Sequence, residues 1–212
     1  MPDMNMLLDH AGIIVFSASG ALVASRKQMD IVGFALLATV TGVGGGTVRD
    51  LLLGVPVFWV ADPTSVVICT AVAAIVFFTA HIPESRYRLL LWFDAVGLTA
   101  VALKGCEKAL AAGSHSITAV VMGVVTASFG GMIRDVLGGE SPLILRREIY
   151  ISAAFLAALL YVLMIHAGVP AAFATSLAFL SGFGLRALAL RFNWSLPVYK
   201  RRAGRTPEQL GL

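Results

Sequence analysis

The chain has 212 residues, of which 58% are hydrophobic and 13% charged, about half the ~25% charged share of an ordinary soluble domain. That balance excludes a water-soluble fold of this size. Apolar stretches of about 16 to 22 residues, parted by short polar breaks, point instead to an all-α polytopic membrane protein. The formal net charge of +4 would suit a nucleic-acid binder only if it formed a face. The basic residues fall in the breaks between apolar runs, so no nucleic-acid partner is expected. Cys69 and Cys106 lie inside apolar runs, where a free cysteine behaves as a small hydrophobe.

In chain order the apolar runs cover 7–24, 31–53, 64–80, 89–112, 116–137, 149–165 and 169–190, which makes seven spans. The first is a poor signal peptide, because Asp3 and Asp9 stand where a basic segment belongs. With loops assigned to alternate sides, one side collects Arg26, Lys27, Arg86, Arg88, Arg146, Arg147, Arg191, Lys200, Arg201, Arg202 and Arg205, and the other side collects no Lys or Arg. That segregation puts the N-terminus outside and the C-terminus in the cytoplasm, and a span more or less would scramble it. The basic tail at 193–212 is expected at the anionic inner leaflet.

A shift of 85 residues lays Asp9 on Asp94, Gly12 on Gly97, Gly20 on Gly105 and Thr41 on Thr126. The same shift lays Gly45, Gly46, Arg49 and Asp50 on Gly130, Gly131, Arg134 and Asp135. Three spans per unit is an odd number, so the second unit enters the membrane from the opposite face. The expected organisation is a 3+3 inverted repeat: 1–88 as the first unit, 89–168 as the second, 169–192 as an extra seventh helix and 193–212 as the tail. Two unrelated hairpins of similar composition are the alternative.

The informative segments are TGVGGGTVRD at 41–50 and TASFGGMIRD at 126–135. Consecutive glycines inside a span favour a kink or an unwound turn, and backbone groups so released are tolerated only against protein or a water-filled cavity. Carbonyls closing a half-helix attract a cation and amides opening one attract an anion; the letters leave that choice open. The glycines at 44–46 and 130–131, with Thr41 and Thr126, are expected to line the narrow middle of one path. The pairs Arg49–Asp50 and Arg134–Asp135 are expected at its two mouths, too far apart along the membrane normal to bridge each other. Adjacent helical residues do not face each other, so one member of each pair should point at the path and the other at a neighbouring helix. Against this stands the reading in which the glycines only permit close helix packing while the charges reach for the interface.

Span four carries Lys104, Glu107 and Lys108 at i, i+3 and i+4, on one side of the helix. A lysine at that depth needs a partner or water; it either sits in the path and senses the membrane field or pairs with Glu107 and fixes packing. Asp9 and Asp94 are either N-caps of their spans or further polar residues of the path. The histidines lack ligand spacing, and the GVGGG run lies in a span without the Gly-Lys-Ser/Thr ending of a phosphate loop. No metal, cofactor or enzymatic activity is expected.

Two glycine-rich segments ending in Arg-Asp, one per three-span unit, with a seventh span, resemble the prokaryotic branch of the trimeric intracellular cation (TRIC) channel family, also catalogued as glycine transporter domains. The resemblance rests on GGGTVRD at 44–50 and FGGMIRD at 129–135 and covers most of 7–190. It implies seven helices with kinked second and fifth helices, a homotrimer with one pore per protomer between those helices, and a multi-pass place in the inner membrane among lipids. It also implies conduction of monovalent cations, chiefly potassium, with sodium as a second permeant ion and no cofactor. Lys104 or Lys108 would be the counterpart of a voltage-linked lysine on the fourth helix. Phe129, which replaces the glycine equivalent to Gly44, would serve as a gate or as packing for the kink. A secondary transporter of a small substrate such as glycine shares the same pattern, and a structural scaffold is the reading that involves no transport.

Overall fold

The computed structural model describes residues 4–81, 86–146 and 148–197, with side chains from residue 10 onward. Pro83, Glu84, Arg147, the side chain of Asp9 and the basic tail beyond residue 197 lie outside the described residues. The apolar runs form α1 (Met4–Arg26), α2 (Ile31–Leu53), α4 (Thr64–Thr79), α5 (Arg86–Ala111), α6 (Ser116–Leu137), α7 (Ile151–His166) and α8 (Ala171–Phe192). Two short elements, α3 (Phe58–Ala61) and a 3-10 turn at Leu143–Leu145, precede α4 and α7. By length and apolarity α2, α5, α6 and α8 are long enough to cross a membrane. The third helix of each unit has 16 residues, which at ~1.5 Å rise is shorter than a ~30 Å hydrocarbon core.

The helices start and stop where local chemistry says they should. Asp30 caps α2 by accepting from the Gly33 amide at 2.8 Å, and Gly54 ends it in the left-handed region at φ 66°. Asp94 is no cap. The α5 helix begins at Arg86, which leaves Asp94 buried in its third turn, because the helix takes in the polar residues ahead of the apolar run.

Helices α1, α2 and α4 pack together, as do α5, α6 and α7; α1 meets α5, α2 meets α6, and α8 lies on α7 and α5. The Arg26 guanidinium at the end of α1 is 4.8 Å from the Tyr87 ring at the start of α5. At the other side, Lys108 near the end of α5 reaches Asp50 near the end of α2. The equivalent helices of the two units therefore run in opposite directions.

Their central contact is reciprocal. A Cβ on Gly45 would collide with the Thr126 carbonyl oxygen, and one on Gly130 would sit 2.5 Å from the Thr41 carbonyl oxygen; the 85-residue shift exchanges these two contacts. Gly20 against Leu37 and Thr41 is matched in the same way by Gly105 against Met122 and Thr126. Such i-to-j and j-to-i contacts are the mark of a twofold relation.

Of the kink or unwound turn expected there, the unwound turn is not formed: backbone is helical through Gly44, Gly45 and Gly46 and through Gly130 and Gly131. Releasing those hydrogen bonds would strand peptide groups where no water replaces them. Gly45 and Gly130 instead let two backbones touch, a small-residue crossing of the kind membrane helices use in place of a hydrophobic drive, while Gly46 borders the cavity at the end of α2. Gly45→Ala and Gly130→Ala are each expected to destabilise the protein by ~1–3 kcal/mol through overpacking, read as a lower thermal midpoint in detergent. Gly184→Ala in α8, where an added Cβ meets nothing within 4 Å, is expected to leave the midpoint level or raise it.

Candidate functional site

One end of the molecule, where α2 and α5 finish, holds a cavity of about 490 Å³. Gly42 and Thr126 line it near the helix crossing, Ile13, Ser65 and Val101 form its walls, and Arg49, Phe58, Lys104, Glu107, Lys108 and Ala111 stand around it. Asp62, also on the lining, accepts from the Thr64 hydroxyl at 2.6 Å and the Thr64 amide at 3.0 Å. Those hydrogen bonds, the side-chain one foremost, hold its carboxyl below the ordinary carboxylate range.

Asp50 organises this end. One carboxylate oxygen accepts from Arg49 Nε at 2.8 Å; the other accepts from Lys108 Nζ at 2.8 Å and from the Phe58 amide at 3.0 Å. The Gly54 turn brings Phe58 back over the helix end, and Gly46 makes room for its ring, 2.6 Å from where a Cβ would lie. The Arg49 and Lys108 cations each lie 5.8 Å from that ring's centre. Trp59 Nε1 donates to Thr47 Oγ1 at 2.8 Å, which pins α3 to α2. Lys104 pairs with Glu107 at 3.0 Å, as the i, i+3 spacing suggests.

The opposite end repeats this chemistry without the space. Arg134 Nε donates to Asp135 Oδ1 at 2.8 Å, Arg134 Nη1 donates to Asp94 Oδ1 at 2.7 Å and to Ser19 Oγ at 2.9 Å, and the Leu143 amide donates to Asp135 Oδ2 at 2.9 Å. Arg134 and Asp94 are fully buried, and Asp135 is nearly so. At the same end, Glu140 receives Arg26 at 3.1 Å, Lys27 at 3.8 Å and Arg146 at 3.9 Å.

Among the described residues, the equivalent positions account for the cavity lying at this end. Ser65, Val101 and Ala111 border the cavity, whereas their counterparts under the 85-residue shift are Tyr150, Phe16 and Arg26. Tyr150 and Phe16 are buried, with Phe16 packed on Gly97, and Arg26 is held by Glu140. Larger side chains fill one half of a twofold scaffold and smaller ones leave the other empty.

Several expectations change. Adjacent Arg and Asp were to face apart, yet in both pairs the long arginine arm folds back onto the next carboxylate. All four residues placed at mouths are buried, and of them Arg49 borders the cavity; Asp50 and Asp135 each accept a backbone amide from the segment following their helix, and Arg134 lies between Asp94, Asp135 and Ser19. Thr126 and Thr41 are both buried, each hydroxyl turned to the carbonyl four residues back, and of the two Thr126 borders the cavity. Gly44 faces Ile133 and Gly131 faces Tyr150 and Arg134; Phe129 is half-buried and does not line the cavity. Among the described residues no group of three His, Cys, Asp or Glu is placed to hold a metal ion. Sequence reasoning missed Phe58, Glu140 and Tyr150; carrying the repeat into the loops would have set Phe58 against Leu143 and exposed the first.

The family model described as "Glycine transporter" matches twice, at residues 6–81 and 91–166, starts 85 positions apart. The inner membrane protein YadS of Escherichia coli is 38% identical over 198 residues, covering 91% of this chain and 94% of its own length. A solved TRIC trimeric intracellular cation channel orthologue from Rhodobacter sphaeroides is 55% identical with a TM-score of 0.88, covering 90% of this chain and 98% of that one. A second structure, described under the structural basis for conductance through TRIC cation channels, is 34% identical with a TM-score of 0.83, covering 93% and 98%. With seven long helices among the described residues, two matched units and relatives that span nearly its whole length, the chain is a polytopic membrane protein that belongs to the TRIC channel family, the family the glycine transporter model describes.

Proposed function

We propose that this protein is a monovalent cation channel, chiefly for potassium with sodium as a second permeant ion, with a pore inside each protomer between α2 and α6. The observation that carries the reading is the cavity of about 490 Å³ that runs from Arg49 and Lys108 down to Gly42 and Thr126 beside the helix crossing. A channel needs a continuous wet route with weak sites along it. In this state the route is wet on one side of the crossing and shut on the other by Arg134, Asp135 and the Glu140 cluster. The similar solved structures are described as TRIC cation channels, which favours conduction and a homotrimer. The basic loops favour a cytoplasmic C-terminus and a periplasmic N-terminus, and the likeness to an inner membrane protein favours that membrane.

Lys108 is the better gating candidate of the two lysines. Its ammonium holds Asp50 across the cavity at 2.8 Å, whereas Lys104 is tied to Glu107 on its own helix. A ring carrying Lys104 and Lys108 repels permeant cations, so Lys104→Gln, which leaves Glu107 facing the vestibule, is expected to raise single-channel potassium current about twofold at low salt. Near 1 M salt, where the Debye length is ~3 Å, the gain should vanish. An unchanged current at low salt would place Lys104 outside the conducting route.

A cavity open to one side only also fits alternating access by a secondary transporter of a small substrate such as glycine. Purified protein in a planar bilayer separates the two. The channel reading expects unitary potassium currents; saturable, ion-coupled glycine uptake without unitary current would replace it.

A further inference from the structure

The two ends differ in what holds the segment leading into the third helix of each unit. At the open end that segment is 63–65, where the Thr64 hydroxyl and amide turn back to Asp62 next door. The helix it leads into, α4, packs on α1 and α2. At the closed end the equivalent segment is 148–150, and α8, which follows the second unit, lies on its helix α7. Gly182 permits that approach: a Cβ there would lie 2.7 Å from Ala157 Cβ and 3.0 Å from both the Ala153 carbonyl oxygen and Thr99 Cγ2. One turn on, Arg186 is 1% exposed. Its Nη2 donates to Glu148 Oε2 at 2.7 Å, and its Nη1 donates to the Ile149 carbonyl oxygen at 3.2 Å. The guanidinium carbon lies 5.4 Å from the centre of the Tyr150 ring. Beyond the end of α8, Ser195 forms a single antiparallel bridge with Glu148.

A guanidinium leaves water only where an opposite charge and further acceptors meet it. Arg186 finds both on one three-residue segment, so α8 and that segment are bound as one piece. A planar fork is needed to reach a carboxylate and a carbonyl together while lying by an aromatic ring, which an ammonium does not offer. The consequence falls on Tyr150. It is 2% exposed, its hydroxyl lies 3.2 Å from where a Cβ on Gly131 would be, and it faces Asp94 of the Arg134 cluster. Its counterpart Ser65 borders the cavity.

We propose that Arg186 of α8 is a positioning residue for transport: by gripping 148–150 it holds Tyr150 in the volume that is cavity at the other end, and its release lets the closed end take up water. The helix outside the repeat thereby sets which half of the twofold scaffold is shut. Arg186 acts through Tyr150 and lines no route itself. That a wet closed end lets ions through rests on the channel reading above; that Arg186 keeps this end dry does not.

The test is peptide-resolved mass spectrometry of the full-length protein carrying Phe16→Cys, in lipid nanodiscs open to both faces, timed against a charged, membrane-impermeant thiol reagent. With Arg186 intact that cysteine is expected to stay protected, because Phe16 is buried at the closed end. Arg186→Gln is expected to speed its labelling by about tenfold to a hundredfold, as the loss of hydrogen bonds from a charged group gives. Tyr150→Ser, which puts the open-end residue at the closed end, is expected to do the same. Glu148→Gln, which keeps an acceptor and loses the charge, falls between; where Arg186→Gln does not fold, Glu148→Gln and Tyr150→Ser decide. Since Arg186 acts through Tyr150, Arg186→Gln adds nothing in the Tyr150→Ser background. Arg191→Gln, at an exposed position near the end of the same helix, keeps the protection. Unchanged labelling in Arg186→Gln and Glu148→Gln overturns the proposal. So does a rise matched by labelling of the buried Cys106, which marks packing loosened throughout, and so does a full Arg186→Gln effect on top of Tyr150→Ser. Labelling needs no current, so the expected pattern in a protein that carries no unitary current upholds the role of Arg186 and sinks only the conduction reading.

Discussion

Helices in hydrocarbon gain nothing by hiding from their surroundings, so two of them stay crossed only where their surfaces fit closely. In this protein that fit is the reciprocal contact of Gly45 with the Thr126 carbonyl and of Gly130 with the Thr41 carbonyl. Everything else is arranged about it. The crossing sets the distance between the two units and brings α1 against α5. It also places the two Arg-Asp pairs at opposite ends, each with its following segment folded back to donate a backbone amide to the aspartate.

A twofold scaffold by itself would give two equal halves, and a route open at both ends or neither. The side chains break that equality. Ser65, Val101 and Ala111 leave a cavity at one end, and Tyr150, Phe16 and Arg26 fill the equivalent volume at the other. The charges follow the same division. Lys108 borders open space and holds Asp50, whereas Arg134 is fully buried between Asp94 and Asp135. A closed conducting protein and a one-sided transporter both have this form. What separates them is whether the sealed half can open while the other remains wet.

The helices, their order and the internal duplication were legible in the letters, because apolar length and matched Arg-Asp pairs are local signals that survive any packing. The glycines offered either a break or close packing, and Gly45 and Gly130 are close contacts. Glycine is permissive of both, and only the neighbour decides: Thr126 O lies where a Cβ on Gly45 would be, and no spacing rule contains that. Asp94 looked like a helix start because the apolar run began only a few residues before it, while the helix reached back through Arg86. Its bond to Arg134 and the burial of Tyr150 depend on which helices meet, so they were beyond any reading of one segment. The difference between the two ends was present in the sequence all along as Ser65 against Tyr150 and Val55 against Glu140, but a repeat is usually read for its matches, and here the mismatches carry the asymmetry.

The central claim is that equivalent positions in the two units are wet at one end and packed at the other. Single cysteines at Val101 and Phe16, exchanged by the 85-residue shift, test it directly with a charged, membrane-impermeant thiol reagent on protein in a planar bilayer. The native Cys69 and Cys106 are both fully buried and form a silent background. The account predicts that Val101→Cys reacts from the periplasmic side and loses potassium current, while Phe16→Cys reacts from neither side. Equal reactivity at both positions, or a protected Val101→Cys, would contradict it.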